Sequence, residues 1–327
     1  MLPGAPRVMR PVPPAKSPAS APTPVQKTIS PRAWVELFLL ATIWGASFLS
    51  NRIALTEVGV FTTVAIRVLG AATLLWLIVL YLRLPIPGSA RVWAIFLGMG
   101  LLNNAIPFSL IVWGQQHIAS GLASILNAAT AIIGVLIASL IFADERLTRR
   151  RMVGVGLGFL GVATAIGWQA ASKLDLTSLA QLAVIGSSLS YALAGAFGRV
   201  FLKGVAPLVA AAGMLTGSSL IMVPMALATE GMPRLASLTA PTIAALAYLA
   251  VFASALAYML YYRVLAMAGA GNLLLVTLLV SPIAILLGTL VLGESLLPQA
   301  YLGFGLVALG MLVIDGRLLN WLGRFRH

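Results

Sequence analysis

Two long apolar stretches of this chain align with each other without a gap, 149 residues apart. The first reads IASGLASILNAATAIIGVLIASLIFADERL and continues as RMVGVGLGFLGVATAI. The second reads MAGAGNLLLVTLLVSPIAILLGTLVLGESL and continues as AYLGFGLVALGMLVI. In that register Glu145 falls on Glu294, Leu147 on Leu296, Gly154 on Gly303, Gly156 on Gly305 and Gly161 on Gly310. A chain that repeats itself folds as two related units. When the repeated unit is apolar enough to sit in lipid, the expected architecture is that of a carrier with a solute path between its halves. An odd number of spans per half would invert one half against the other.

Composition fixes the solvent. Sixty per cent of the residues are hydrophobic and 9% are charged, against about 25% charged in soluble domains. Windows of roughly 20 apolar residues give ten spans, near 33–50, 60–82, 92–115, 119–142, 152–168, 178–200, 207–228, 241–264, 270–291 and 299–315. The loops between them are short. Pro207, Pro241 and Pro298 stand at helix starts, where proline costs no hydrogen bond. The apolar runs are continuous rather than alternating, which excludes a β-barrel pattern. The expected fold is an all-α polytopic membrane protein of ten transmembrane helices arranged as two inverted five-helix repeats.

The formal charge of +13 is a matter of topology. With ten spans both termini share one side. Of the 21 basic residues, 17 then lie on that side, Arg52, Lys173 and Arg234 lie on the other, and Arg67 is left within a span. The positive-inside rule makes the terminal side cytoplasmic. Basic charge so distributed serves topology and lipid contact, and no nucleic acid is expected as a partner. Residues 1–31 are rich in Pro, Ala and Ser, lack the apolar segment of a signal peptide, and read as a disordered cytoplasmic tail. Residues 32–172 and 173–316 form the two halves, and 317–327 a short basic tail. With no cysteine, a disulfide, a thiolate metal site and a cysteine nucleophile are all excluded. No cofactor and no metal are expected.

Particular residues sharpen the class. The first span ends in WGASFLSNRIAL and the second carries AIRVLGAATLL. The third and fourth read PFSLIVWGQQHIASGLASILNAATAIIGVLIASLIFADERLT, and a glycine-rich fifth follows. Together these resemble the EamA-type, ten-helix branch of the drug/metabolite transporter superfamily, over about residues 33–315. The resemblance implies two inverted halves, with spans 1–4 and 6–9 around a central cavity and spans 5 and 10 peripheral. It also implies export of small metabolites across the cytoplasmic (inner) membrane. Members similar to this chain export amino acids, aromatic ones included; others move purines, riboflavin, sugar phosphates or drugs.

Arg67 is the one charge well inside a span. A basic group near the bilayer centre costs about 2.5–3.5 kcal/mol or more on insertion scales, so it should face protein or water. Its side chain either meets a counter-charge on the path or bonds backbone carbonyls. The acidic residues Glu36, Glu57, Asp144, Glu145, Asp175, Glu230, Glu294 and Asp315 all fall at span ends or in loops, as does His117. Coupled carriers usually keep an intramembrane carboxylate, so facilitated export is expected over proton coupling. Glu145 and Glu294 are read as helix caps or as partners of Arg146 or Arg149.

Aromatic and small polar side chains form the expected substrate site. In the repeat register Ser109 matches Tyr258 and Trp113 matches Tyr262; at a slightly different offset Trp44 matches Tyr191. Ser109 and Trp113 share a face, as do Ser254, Tyr258 and Tyr262. Asn127, Thr277 and Ser281 add hydrogen-bonding groups. Rings for apolar parts with amides and hydroxyls for polar ends suit an amphipathic solute. The competing reading makes the same residues interfacial belts and helix glue. Pro107, Pro224 and Pro282, within spans 3, 7 and 9, each remove a backbone donor and invite a kink or a gate. GVGLGFLG at 154–161 lies in an apolar helix with no strand before it, which excludes a dinucleotide fingerprint. Gly154 and Gly158 instead form a GxxxG packing face, used within a monomer, with a dimer contact as the alternative.

The expected function is therefore a secondary carrier, not an enzyme. It exports small amphipathic metabolites, amino acids first, by alternating access around a central cavity. A proton-coupled drug or metabolite efflux carrier is the alternative. A channel would need a continuous polar path that no span shows, and a membrane enzyme would need a catalytic cluster that the chain lacks.

Overall fold

The computed structural model describes residues 30–142, 148–166, 176–268, 273 and 275–315. The two tails, most of the loop holding Asp144, Glu145 and Arg146, and the segment holding Lys173 and Asp175 lie outside these. Among the described residues the chain forms ten helical rods and no strand. They are α1 (Pro31–Ala54), α2 (Val60–Tyr81), α3 (Ala90–Gly114), α4 (Ser120–Ile141), α5 (Arg149–Ile166), α6 (Leu176–Phe201), α7 (Pro207–Thr229), α8 (Ala240–Ala268), α9 (Leu275–Leu292) and α10 (Pro298–Asp315). Seven of these are long and apolar enough to cross a membrane. The other three are α5, which opens on Arg149, Arg150 and Arg151, and the shorter apolar α9 and α10.

Local sequence explains the ends. Ser30 accepts the amide of Ala33 at 3.2 Å, and Pro31 follows at the first helical position of α1, a serine N-cap with a pre-set φ. Pro207, Pro241 and Pro298 stand in the first turns of α7, α8 and α10. Many large side chains on the outside of the bundle are apolar: Leu140 is 79% exposed and Leu290 72%. A water-soluble fold would bury such surface; lipid covers it here.

Three rods are interrupted. α3 passes through a π turn at Leu101–Ala105, where the Ile106 amide reaches back five residues to Leu101. α8 does the same at Val251–Leu256, the Ala257 amide reaching Phe252. These two turns nearly superimpose in the repeat register. α4 breaks at Ala128, between Ser120–Asn127 and Ala129–Ile141. Pro107 comes just after the π turn of α3, but α8 turns the same way with Leu256 at that place, so proline is not its cause. Pro224 and Pro282 lie inside helices that run through without a break.

The rods pair across the halves. α5 lies on α10, α2 on α7 and α4 on α9; α1 meets α8 and α9, as α6 meets α3 and α4. The α5–α10 contact is made by glycines. A β-carbon on Gly154 would stand 2.6 Å from the Gly310 carbonyl oxygen, and one on Gly161 2.7 Å from that of Gly303. With no side chain between them the two backbones touch, the packing expected of small residues in lipid. Gly158 faces Ile132 of α4 instead.

Two buried apolar clusters make up most of the core. One joins α1, α4, α5, α6, α8, α9 and α10. The other is built mainly from α2, α3 and α7.

Candidate functional site

The seam between the two clusters is aromatic. Trp113 of α3 and Tyr191 of α6 pack against both clusters; Trp44 of α1 and Tyr261 of α8 belong to the first, and Tyr258 and Tyr262 of α8 to the second. Trp44 and Tyr261 stand 6.0 Å apart, centroid to centroid, and Tyr261 meets Tyr262 edge-on at 5.3 Å. Tyr191, Tyr258, Tyr261 and Tyr262 are each half-buried. The Trp44 indole N–H donates to the Ala253 carbonyl at 3.3 Å, which binds α1 to the π turn of α8.

Polar groups converge on the same seam. Arg67 of α2 is 5% exposed. Its Nε donates to Ser254 Oγ at 2.9 Å and its Nη2 to the Ala253 carbonyl at 3.4 Å, while the guanidinium carbon sits 3.8 Å over the Phe108 ring. One turn beyond Ser254, the Tyr258 hydroxyl donates to Asn104 Oδ1 at 2.6 Å and accepts from Asn103 Nδ2 at 3.0 Å. Asn103 and Asn104 lie in the π turn of α3. The extra residue of a π turn shifts side-chain phase, which turns two adjacent amides inward; such turns recur at functional sites. Sequence reasoning passed over both asparagines. Their place one turn before Phe108, opposite Tyr258, was the available signal.

The other expected residues are more dispersed. The Ser109 hydroxyl lies 3.7 Å from Met222 sulfur, and Trp113 meets His117 edge-on. Asn127 stands at the break in α4. Its carbonyl accepts from Thr130 at 2.7 Å and Ser188 at 3.3 Å, and its side-chain Oδ1 is buried without a donor. Ser281 is fully buried and donates to the Ser124 carbonyl at 3.0 Å, tying α9 to α4. Thr277 faces Met311 of α10. A cleft between α9 and α10, lined by Pro282, Ile285, Leu286, Thr289, Tyr301 and Phe304, is apolar and lies away from the seam.

One end of the bundle is closed by carboxylates that cap helices of the opposite half. Glu230, at the end of α7, accepts the Phe61 and Thr62 amides of α2 at 2.9 and 2.8 Å. Glu57, after α1, accepts the Thr239 amide at the start of α8 at 2.9 Å, along with its hydroxyl. Glu294, after α9, accepts the Ser120 amide of α4 at 2.8 Å and its hydroxyl at 3.0 Å. A carboxylate at a helix N-terminus satisfies orphan amides and complements the dipole. Arg52 lies 3.8 Å from Glu294 and also donates to the Gln115 carbonyl. The Gln115 side chain joins Asn51, the Phe48 carbonyl and Ser120. Glu294 is thus a cap, but of the other half, and its arginine is Arg52. The Thr239 hydroxyl and amide hold the Glu57 carboxyl below the ordinary carboxylate range. At the opposite end Glu36 pairs with Arg32 at 3.3 Å and Arg263 at 2.5 Å.

Membrane-length helices packed around an internal aromatic and amide-lined seam define a multi-pass membrane transporter. The model of the EamA-like transporter family matches the chain twice, over residues 33–167 and 178–315, and the chain belongs to that family, a branch of the drug/metabolite transporters. It is 26% identical over 286 residues to an "uncharacterized transporter" of Archaeoglobus fulgidus, covering 86% of this chain and 98% of that one. It is also 26% identical over 282 residues to the inner membrane transporter YedA of Escherichia coli K12, covering 85% and 89%. PecM of Dickeya dadantii is similar at 23% identity, covering 85% of this chain and 90% of its own. A solved crystal structure shares the fold at a TM-score of 0.63 and 15% identity, covering 86% of this chain and 97% of that one.

Proposed function

We propose that the chain is a secondary carrier that exports small amphipathic metabolites, amino acids first, by alternating access across the cytoplasmic membrane. The observation that carries this is the seam: half-buried rings, with amides and hydroxyls among them, between two packing units. Rings accept the apolar part of a solute and the polar groups its ends.

The halves are residues 32–172 and 173–316, each of five spans and inverted against the other. Two observations support the inversion. The π turns of α3 and α8 fall together in the repeat register. The contacts Gly154–Gly310 and Gly161–Gly303 exchange into one another when each residue is replaced by its repeat mate, as a two-fold axis between α5 and α10 requires. Both termini are cytoplasmic by the distribution of basic residues, and the end closed by Glu57, Glu230 and Glu294 then faces outward. The carrier works as a monomer, since the glycine face of α5 is filled by α10 and α4. YedA is described as an inner membrane transporter, which supports the same location here.

The proposed substrate set is Trp44, Ser109, Trp113, Asn127, Tyr191, Ser254, Tyr258, Tyr262, Thr277 and Ser281, joined by Asn103 and Asn104 because both bond Tyr258. The carboxylates whose contacts are described all lie at rod ends, which supports facilitated movement down the solute gradient. The test is counterflow of labelled phenylalanine or tryptophan in liposomes, repeated across a pH jump. Saturable counterflow indifferent to the jump is expected. Accumulation of a drug or other metabolite driven by the proton gradient, without amino-acid counterflow, replaces this reading with the coupled one.

A further inference from the structure

The proposed solute site contains a buried cation that no carboxylate with described contacts reaches. None of the four carboxylates whose contacts are described reaches Arg67: Glu36 is engaged by Arg32 and Arg263, Glu57 by Thr239, Glu230 by the α2 amides, and Glu294 by Ser120 and Arg52. Arg67 meets only a hydroxyl, a carbonyl and a ring face. These are dipoles and a quadrupole. They orient a guanidinium and soften its burial, but they do not neutralise it. These two hydrogen bonds use only two of its five guanidinium donors.

The surroundings form a closed ring. Arg67 bonds Ser254; one turn on, Tyr258 bonds Asn104; one turn beyond Asn104, Phe108 lies under the guanidinium. Both π turns contribute to this ring. A second group in it is also incomplete: Asn104 is fully buried and its Nδ2 has no acceptor. A cation without a counter-charge and an amide without an acceptor on one ring are the groups that an entering anion satisfies. Unpaired donors left by the wrong solute also give a site strong discrimination.

We infer that the ring of Arg67, Ser254, Tyr258 and Asn104 is an anion subsite, and that the cargo carries a carboxylate which neutralises Arg67 between the two π turns. This rests on the carrier reading and narrows it: solutes without a carboxylate are excluded as cargo. It also explains the cost of keeping Arg67 in the membrane interior, since the empty carrier holds a charge that the loaded one does not.

The test uses the full chain in detergent and in liposomes with four matched solutes: phenylalanine, 3-phenylpropionate, phenylalaninamide and phenethylamine. The carboxylates should raise the melting temperature and compete in counterflow, with the amide and the amine at least about tenfold weaker, roughly the effect of one lost charged contact. Arg67→Met should abolish the response to carboxylates while the solute-free melting temperature stays level or rises, because an unpaired buried charge has been removed. Arg67→Lys should keep part of the response. The subsite is overturned if the amine or amide matches the carboxylates, if no carboxylate stabilises the protein, or if Arg67→Met lowers the solute-free melting temperature and leaves the solute ranking unchanged. Carboxylate-selective stabilisation without counterflow of any solute would sustain the subsite and overturn the carrier.

Discussion

Glu294 and Ser120 stand 174 residues apart in the chain, and the carboxylate of one accepts both the amide and the hydroxyl of the other, at 2.8 and 3.0 Å. This bond closes α9 of one half onto the first turn of α4 in the other. Glu57 with Thr239 and Glu230 with Phe61 and Thr62 close the same end in the same manner. The alternating access proposed above requires such an end to open, and these caps are then the contacts that opening must break.

Glu294→Gln weakens a charge-assisted cap worth about 1.5–3 kcal/mol and should favour the state open at that end. The chain has no cysteine of its own, so a single Ser109→Cys reporter is clean. Its alkylation by a membrane-impermeant reagent should speed up severalfold in the Glu294→Gln background. An unchanged rate would show that this cap does not limit opening.

The Glu57–Thr239 contact gives this end a dependence on pH. The Glu57 carboxyl titrates below its ordinary range because Thr239 bonds its charged form. A folded-state pKa below the unfolded value contributes stability that is present above the unfolded value and is lost as pH falls through the folded one. Thermal unfolding should therefore worsen as pH drops from neutral to below the ordinary carboxylate range. Thr239→Val removes the hydroxyl and keeps the amide, so it should flatten that part of the profile only in part.

The glycine contact of α5 with α10 should tolerate no side chain. Gly154→Ala places a carbon 2.6 Å from the Gly310 carbonyl oxygen and should cost about 1–3 kcal/mol through overpacking. Gly156→Ala, two residues away with open space around it, should be neutral or gain up to about 1 kcal/mol in helix propensity. Melting temperatures of the two variants, side by side, test this.

Tyr258→Phe leaves Asn104 Oδ1 buried without a donor, an expected cost of about 1–3 kcal/mol. It also releases Asn103 from its hydroxyl partner. Half-saturation for cargo in counterflow should rise, with Tyr301→Phe on the exposed face of α10 as the matched control without effect.

Some of this was legible in the sequence because it is local. Helix starts at Pro207, Pro241 and Pro298, the depth of Arg67 and the glycine face of α5 all follow from hydropathy and near-neighbour chemistry. Trp44, Trp113, Tyr191, Tyr258 and Tyr262 were chosen on helical phase and repeat register, and they share the seam. Phase fails where the helix changes pitch. Asn103 and Asn104 escaped notice because a regular α3 would not present both inward. Ser281 gives its hydroxyl to the Ser124 carbonyl, and no pattern in α9 announces α4 as a neighbour.

The sequence by itself determined that the chain enters a membrane, where its spans lie and that it repeats, because transfer to lipid is summed residue by residue and a repeat is a property of order along the chain. Only the tertiary structure decided which helix end each carboxylate caps, that Arg67 meets Ser254 rather than an acid, and that Tyr258 bonds both asparagines of the α3 π turn. Those contacts join residues more than 150 positions apart, and hydrogen bonds are selected by the distance and angle that packing imposes, which no spacing along the chain encodes.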